Sequence, residues 1–366
     1  MKLFFWLDFL NPHLVPFINN LPLIDKKLEV TIIAPKEFEE KRRRLGLVPG
    51  DTSNVSVIIP PLKNDWDKIF TKKNSEETFH FFYGLRARII RKGLTKALMS
   101  GHYTGVFSEV PELFGIRALT RRIASYVIER PFRNKLDYVF TIGREGYKWF
   151  QFCGYSNDKL IPFYYSIEPI NNEVSSNSRE KAMNPHLNIV FAGRLIPLKA
   201  LDLLFYSLAK VKRLRGTFNL DIYGLGPEQA SLEALAKRLA IEKNITFKGV
   251  LENQKLRQNF INYDLLILPS YKDGWGVVIN EALHAGTPVI CSSVCGGSQL
   301  IRPGFNGKVF EKGDVDGLCD QIMSQIEKGP ISLKKRQEII KDASNLFPKL
   351  TAEYFLYQLE LKKPIN

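Results

Sequence analysis

The spacing of apolar positions changes repeatedly along this chain, and the change is sharpest over residues 264–290. Leu265 to Leu268 is a short apolar run bounded by Pro269 and Ser270, the pattern of a strand buried on both faces of a parallel sheet. Gly274 and Gly276 then allow a sharp turn, because a residue without Cβ can bend and approach a ligand closely. Val277 opens a helix with Val278, Ala282 and Leu283 on its inward side, Gly286 stands where a left-handed cap would end it, and Pro288 starts the next strand. The same period change occurs upstream. Ile189 to Ala192 reads as a strand ending at Gly193, followed by a helix with Leu201, Leu204, Leu208 and Val211 on one stripe. Between the two, Leu220 to Pro227 and Ile245 to Gly249 each read as a strand closed by glycine, with Pro227 at an early helical position.

The amino-terminal half repeats the alternation more faintly. Strands are expected near Leu3 to Leu7, Val30 to Ala34, Val55 to Ile59, Gly105 to Ser108 and Tyr138 to Ile142, an order that fits a Rossmann-like domain. Thr78 to Lys96 reads as one basic amphipathic helix, with Phe79, Phe82, Tyr83 and Ile90 among Arg86, Arg88, Arg91, Lys92 and Lys96 and no acid between them. Two readings stand for it. Arg86, Arg88, Arg91 and Lys92 dock on an anionic membrane surface with the aromatics inserted, or the aromatics face the core beneath a solvated basic face. Residues 171–184 turn polar and predict a linker, and Leu350 to Leu361 predicts a last helix. The fold class is therefore α/β, with a first Rossmann-like domain over 1–172, a linker over 173–186 and a second such domain over 187–345.

Length and composition agree with two soluble domains. The chain has 366 residues, 45% hydrophobic and 25% charged, enough for two cores. No stretch approaches the roughly 20 apolar residues of a membrane span. The first ten residues resemble a signal peptide but carry Asp8 inside the apolar run and lack a small-residue cleavage site, so they are read as the first buried strand. Cys153, Cys291, Cys295 and Cys319 are too few and scattered for a disulfide framework, which points to a reducing, cytoplasmic compartment. No metal is expected: Cys291 and Cys295 have no second pair at zinc spacing, and the triplets Asp65 to Asp67 and Asp314 to Asp316 follow no buried strand. The net charge of +14, with a further basic cluster at Lys41 to Arg44, concerns partners rather than fold. Nucleic acid is excluded as a partner because no binding module accompanies the charge.

Two loops carry candidate chemistry. The turn after the Leu265 to Leu268 strand lies at the carboxyl edge of a parallel sheet and faces a helix amino terminus, which favours anionic or hydroxyl-rich ligands. Asp273 and Glu281 flank it, and a carboxylate suits vicinal hydroxyls because it accepts two hydrogen bonds in one plane. Arg194 and Lys199 occupy the loop after the Ile189 to Ala192 strand, where a diphosphate needs a bidentate cation and a movable point charge. In the first domain, Asn11 to His13 and Glu109 follow strands, which makes His13 and Glu109 candidates for contact with a second substrate, His13 as general acid or base.

Together these residues resemble the retaining glycosyltransferase family four, of the GT-B fold. Asp273 and Glu281 match its Glu-x7-Glu signature with Asp at the first position. Gly193, Arg194 and Lys199 match its Gly-Arg-x4-Lys phosphate site, with Ala200 where a glycine usually follows. Cys295 to Gln299 is similar to its Gly-Gly-x-x-Glu stretch, with Gln299 for the acid. The likeness rests on residues 188–320. It implies two Rossmann-like domains facing across a cleft, the first completed by a carboxyl-terminal helix over 350–363. It implies catalysis by Arg194 and Lys199 on the diphosphate, Asp273 on the transferred sugar and Glu281 on the ribose. Donor contacts fall on Gly193, Gly224, Gly274, Trp275, Gly276 and Val277. The implied activity needs no cofactor: a sugar moves from a nucleotide-diphosphate donor to a saccharide or lipid-linked saccharide, as in surface polysaccharide or glycolipid biosynthesis; the basic helix alone suggests the inner face of a membrane as its place. The alternatives are a nucleotide-sugar epimerase or hydrolase of the same fold and a non-catalytic scaffold subunit.

Overall fold

The computed structural model describes residues 1–44, 46–59, 69–70, 77–109, 115–169 and 186–362. The chain divides into two compact units, one of Met1–Arg43, Val48–Glu168 and Leu346–Asn366, the other of Arg44–Leu47 and Pro169–Asn345. The expected linker, apart from His186, and the Asp65 to Asp67 triplet lie outside the described residues.

The first unit is a seven-stranded sheet in the order β3-β2-β1-β4-β5-β6-β7. Its strands are β1 (Lys2–Trp6), β2 (Glu29–Ile33), β3 (Ser56–Ile58), β4 (Thr78–Tyr83), β5 (Tyr103–Ser108), β6 (Tyr138–Ile142) and β7 (Leu160–Phe163), all paired in parallel. The central strands are buried over most of their length, so they are mainly apolar rather than strictly alternating, as parallel sheets covered on both faces require. One face carries a cluster of stacked and edge-on rings. Phe107 stacks on Phe140 at 4.6 Å, and Phe355, from the helix Pro348–Leu361, meets Phe81 edge-on at 4.9 Å and Phe140 at 5.1 Å. Tyr138 donates to the Leu359 carbonyl at 3.3 Å and Tyr354 to that of Pro162 at 3.0 Å, fastening the last helix to this unit.

The structure corrects the expected helix over Thr78 to Lys96. Thr78–Tyr83 is β4, a central strand between β1 and β5, and Phe79, His80, Phe81 and Phe82 are buried on its two faces. Aromatic residues fit a pleated, doubly covered strand, and Gly84, at φ 76°, ends it. These rings are core, so none is free to enter a membrane. The helix is Arg88–Met99, which buries Ile90, Gly93, Leu94 and Ala97 and exposes Arg88, Arg91 and Lys92. Arg86 precedes it and turns inward, donating to Ser125 Oγ at 2.6 Å beside Glu129 at 3.7 Å.

His80 sits inside this core: Trp6 Nε1 donates to its Nδ1 at 3.1 Å, and its Nε2 meets His102 Nδ1 at 3.0 Å. Burial, and then the neighbouring His102, push its pKa well below the usual histidine range. The unfolded chain then binds the proton more readily, so this group's contribution to stability is lost as pH falls through roughly 6.5, by about 1.4 kcal/mol per pH unit. Denaturation midpoints between pH 6.5 and 5.5 are therefore expected to fall more steeply for the wild type than for His80→Gln; equal slopes would contradict it.

The second unit is a six-stranded parallel sheet in the order β10-β9-β8-β11-β12-β13. The strands are β8 (Leu187–Ala192), β9 (Phe218–Tyr223), β10 (Ile245–Gly249), β11 (Leu265–Leu268), β12 (Val289–Ser292) and β13 (Gly307–Phe310). The helix Leu201–Arg213 buries Leu201, Leu204, Leu208 and Val211 as the stripe predicts. Sequence order runs outward from β8 through β9 to β10, then restarts on the other side at β11. The order therefore reverses between β8 and β11, the position in an open α/β sheet where the two following loops diverge and leave a crevice for a ligand.

Candidate functional site

The loops after β8 and β11 meet at that reversal. Lys199 Nζ lies 2.5 Å from Asp273 Oδ2, and the two side chains are 14% and 9% exposed. The backbone holds the loops in this pairing, since Tyr271 N donates to the Leu198 carbonyl at 2.9 Å. Neighbouring loops lock in the same way. Gly193 N donates to Tyr223 O, Leu195 N to Leu225 O, Gly224 N to Gly249 O and Gly296 N to Asp273 O, at 2.8 to 3.1 Å. Gly224 is at φ 134°, and a Cβ there would collide with the Gly193 carbonyl oxygen, so the crossing of these loops requires glycine.

Ala200, where the related pattern has glycine, is left-handed at φ 51° and ψ 42°, between the turn Pro197–Lys199 and the helix Leu201–Arg213. The left-handed backbone costs a residue with Cβ about 1 kcal/mol or more, and glycine's looser unfolded chain costs nearly as much. Ala200→Gly is therefore expected to change stability by less than about 1 kcal/mol and to leave turnover unchanged; denaturation curves and initial rates check it.

Glu281 is in the first turn of the helix Val278–His284. Asn253 Nδ2 donates to its Oε1 at 2.8 Å. Burial raises its pKa, against the lowering influence of Asn253 and Arg257. Gly276, at φ 80°, makes the turn between the two acids. Trp275 is 2% exposed and its indole donates to Asn280 Oδ1 at 2.7 Å, which leaves its backbone rather than its ring for a ligand. Arg194 shares the Lys199 loop and is half-buried. Cys291 and Cys295 are buried thiols, the latter pushed up to about 12 by burial and by Asp273, and no cluster of potential metal ligands occurs among the described residues. Asp314 caps the helix Val315–Lys328 and Asp316 pairs with Lys210.

In the first unit the order reverses between β1 and β4, and His13 and Glu109 come to one place at the carboxyl edge. Tyr165 donates to Glu109 Oε1, its oxygen lies 3.0 Å from that of Tyr83, and the His13 ring is 5.5 Å from the Tyr165 ring. Burial, and the nearby Glu109 charge, hold both phenols well above their usual range, so they act as neutral hydrogen-bonding groups. Sequence reasoning missed Tyr83, Tyr165 and Asn253. The two tyrosines were within reach of the carboxyl-edge rule, since Tyr83 ends β4 and Tyr165 follows β7, but neither strand was recognised.

Residues 175–346, a span that falls mostly on the second unit, match the family described as Glycosyl transferases group 1. A D-inositol 3-phosphate glycosyltransferase of Mycobacterium sp. (strain KMS) is 32% identical over 148 residues, 40% of this chain and 34% of that protein. An uncharacterised glycosyltransferase of Methanocaldococcus jannaschii is 29% identical over 158 residues, 41% of this chain and 40% of that protein. The matched region thus spans only about a third of the length of the first of these relatives and two fifths of the second. Among solved structures, Anabaena HepE in complex with UDP superposes with a TM-score of 0.73 at 16% identity over 99% of this chain and 100% of that one. The lipopolysaccharide outer core galactosyltransferase WaaB does so with 0.70 at 17% identity over 99% and 100%. At such identities the likeness establishes the fold: two parallel-sheet, Rossmann-like units of the GT-B type.

Proposed function

We propose that this chain is a retaining glycosyltransferase that moves a sugar from a nucleotide-diphosphate donor to a saccharide or lipid-linked saccharide at a membrane surface, in the synthesis of a surface polysaccharide or glycolipid. The observation that carries this reading is the Lys199–Asp273 pair at the strand-order reversal of the second unit, with Glu281 at the start of the helix that follows. Lys199 and Arg194 hold the diphosphate and stabilise the charge that grows on it as the glycosidic bond breaks, the largest electrostatic contribution open to such a site. Asp273 orients Lys199 and meets the transferred sugar. Glu281, steadied by Asn253, accepts from the ribose hydroxyls, and the backbone of Gly276 and Val277 lies against the donor. The leaving phosphate takes the acceptor's proton on the face it departs from, so the anomeric configuration is kept without a protein nucleophile. The first unit, with its carboxyl-terminal helix, takes the acceptor, and Glu109, positioned by Tyr165, and His13 bind its hydroxyls.

A uridine diphosphate sugar is the favoured donor. HepE is known in complex with UDP-glucose, and the pneumococcal O-GlcNAc transferase GtfA, similar at 21% identity and a TM-score of 0.56, with UDP and GlcNAc. Incubation with UDP-sugars, with and without oligosaccharide and lipid-linked acceptors, tests the reading. Donor consumption that depends on acceptor, with the anomeric configuration retained by NMR, supports it. Equal donor consumption without acceptor would assign the chain to hydrolysis or epimerisation instead.

A further inference from the structure

In the first unit, the helix Gly115–Ile128 turns large apolar side chains to water. Its one buried residue among the described side chains is polar. Ser125, 1% exposed, accepts from Arg86, and just beyond the helix Glu129, 6% exposed, pairs with Arg86 and accepts from the Tyr155 hydroxyl. Most positions it turns to water are apolar: Leu119, Ile123, Tyr126 and Val127 are 49% to 62% exposed, and their i, i+4, i+7, i+8 spacing puts them on one stripe. A contiguous apolar stripe of this kind, rimmed by polar residues, marks an interaction surface.

The rim has one sign. Over 115–133 the only acid is Glu129, which is buried, whereas Arg121, Arg122, Arg130 and Arg133 accompany the stripe. Arg133 lies over the Tyr126 ring at 4.5 Å and Arg122 over Phe152 at 4.2 Å. Arg91 of the helix Arg88–Met99 lies over Phe132 at 5.9 Å, which brings that helix's exposed cations beside the same surface.

We propose that the Gly115–Ile128 helix docks this chain on an anionic lipid leaflet, with Leu119, Ile123, Tyr126 and Val127 entering the acyl boundary and the arginines meeting headgroup phosphates. A second copy fits the surface poorly, because it brings the same positive charge and the chain already carries +14. A lipid leaflet supplies both the apolar depth and the counter-charge. The inference deepens the membrane-surface part of the proposed function and does not depend on its donor chemistry.

Sedimentation with vesicles tests it, comparing mixed phosphatidylglycerol and phosphatidylcholine with phosphatidylcholine alone. The triple substitution Leu119→Ser, Ile123→Ser and Val127→Ser, at exposed positions, is expected to lower the partition coefficient on the mixed vesicles about 100-fold while UDP binding stays at the wild-type level. Arg122→Gln with Arg130→Gln is expected to lower it roughly 20-fold on mixed vesicles and hardly at all on phosphatidylcholine. Partition of the triple variant equal to the wild type, absence of wild-type binding to mixed vesicles, or a wild-type dimer that the triple variant abolishes would each overturn the proposal. If no nucleoside diphosphate binds either protein, the donor reading fails and the vesicle result still decides this one.

Discussion

Lys199→Ala is expected to lower turnover about 100- to 1000-fold at saturating donor, the usual loss when one fixed charge facing a developing anion is removed. Lys199 is 14% exposed and its ammonium is fixed 2.5 Å from Asp273, so little reorganisation precedes its contact with a departing diphosphate. The same geometry complicates the test. The truncation leaves Asp273 nearly buried without its cation, which costs about 3 kcal/mol of stability. Pairing Lys199→Ala with Asp273→Asn separates the effects: removal of both charges restores much of the melting temperature but none of the turnover. Lys199→Arg keeps the charge and falls between. Initial rates and melting curves of the three variants check this, and wild-type turnover in Lys199→Ala would rule out the diphosphate role.

Gly224→Ala is expected to have the largest effect on stability at the site, a loss of about 4 kcal/mol. One part is the backbone, since φ is 134° at this position; the other is the collision of the new methyl with the Gly193 carbonyl, which is backbone and has no rotamer to escape into. Gly249, whose carbonyl accepts from Gly224 N at 2.8 Å, provides the control. It is also left-handed, at φ 68°, but a Cβ there meets nothing within 4 Å, so Gly249→Ala costs about 1 kcal/mol. Comparison of the two denaturation midpoints measures how tightly the loops after β8 and β9 cross. Equal midpoints would mean that the crossing is loose.

The second unit was the more legible in the sequence, for a physical reason. Its strands are short apolar runs closed by glycine or proline, and its loops turn where Gly193, Gly224 and Gly276 stand, so local pattern and tertiary position agree. The rule that functional loops follow strand ends brought Lys199 and Asp273 into one reading before any distance was known. In the first unit the same logic failed where a strand had no punctuation of its own. β4 runs into Arg86 and the Arg88–Met99 helix across the single Gly84, so its aromatics and the following cations merged into one apparent helix. β7 was missed because Pro162 interrupts it, which is tolerated because β7 is an edge strand. With β4 and β7 unseen, Tyr83 and Tyr165 had no strand end to belong to, and the hydrogen bonds that place Glu109 beside His13 were out of reach. Asn253 was illegible for another reason: a lone asparagine 28 positions before Glu281 carries no local signal, and only the fold brings them together.

In the proposed function, Lys199 and Glu281 grip different parts of one nucleotide donor. Calorimetric titration of wild type, Lys199→Ala and Glu281→Ala with UDP, uridine and 2′,3′-dideoxy-UDP tests it most directly. Lys199→Ala is expected to lose most of the preference for UDP over uridine and to keep the preference for ribose over dideoxyribose, while Glu281→Ala does the reverse. Wild-type affinities for all three ligands in both variants would contradict it.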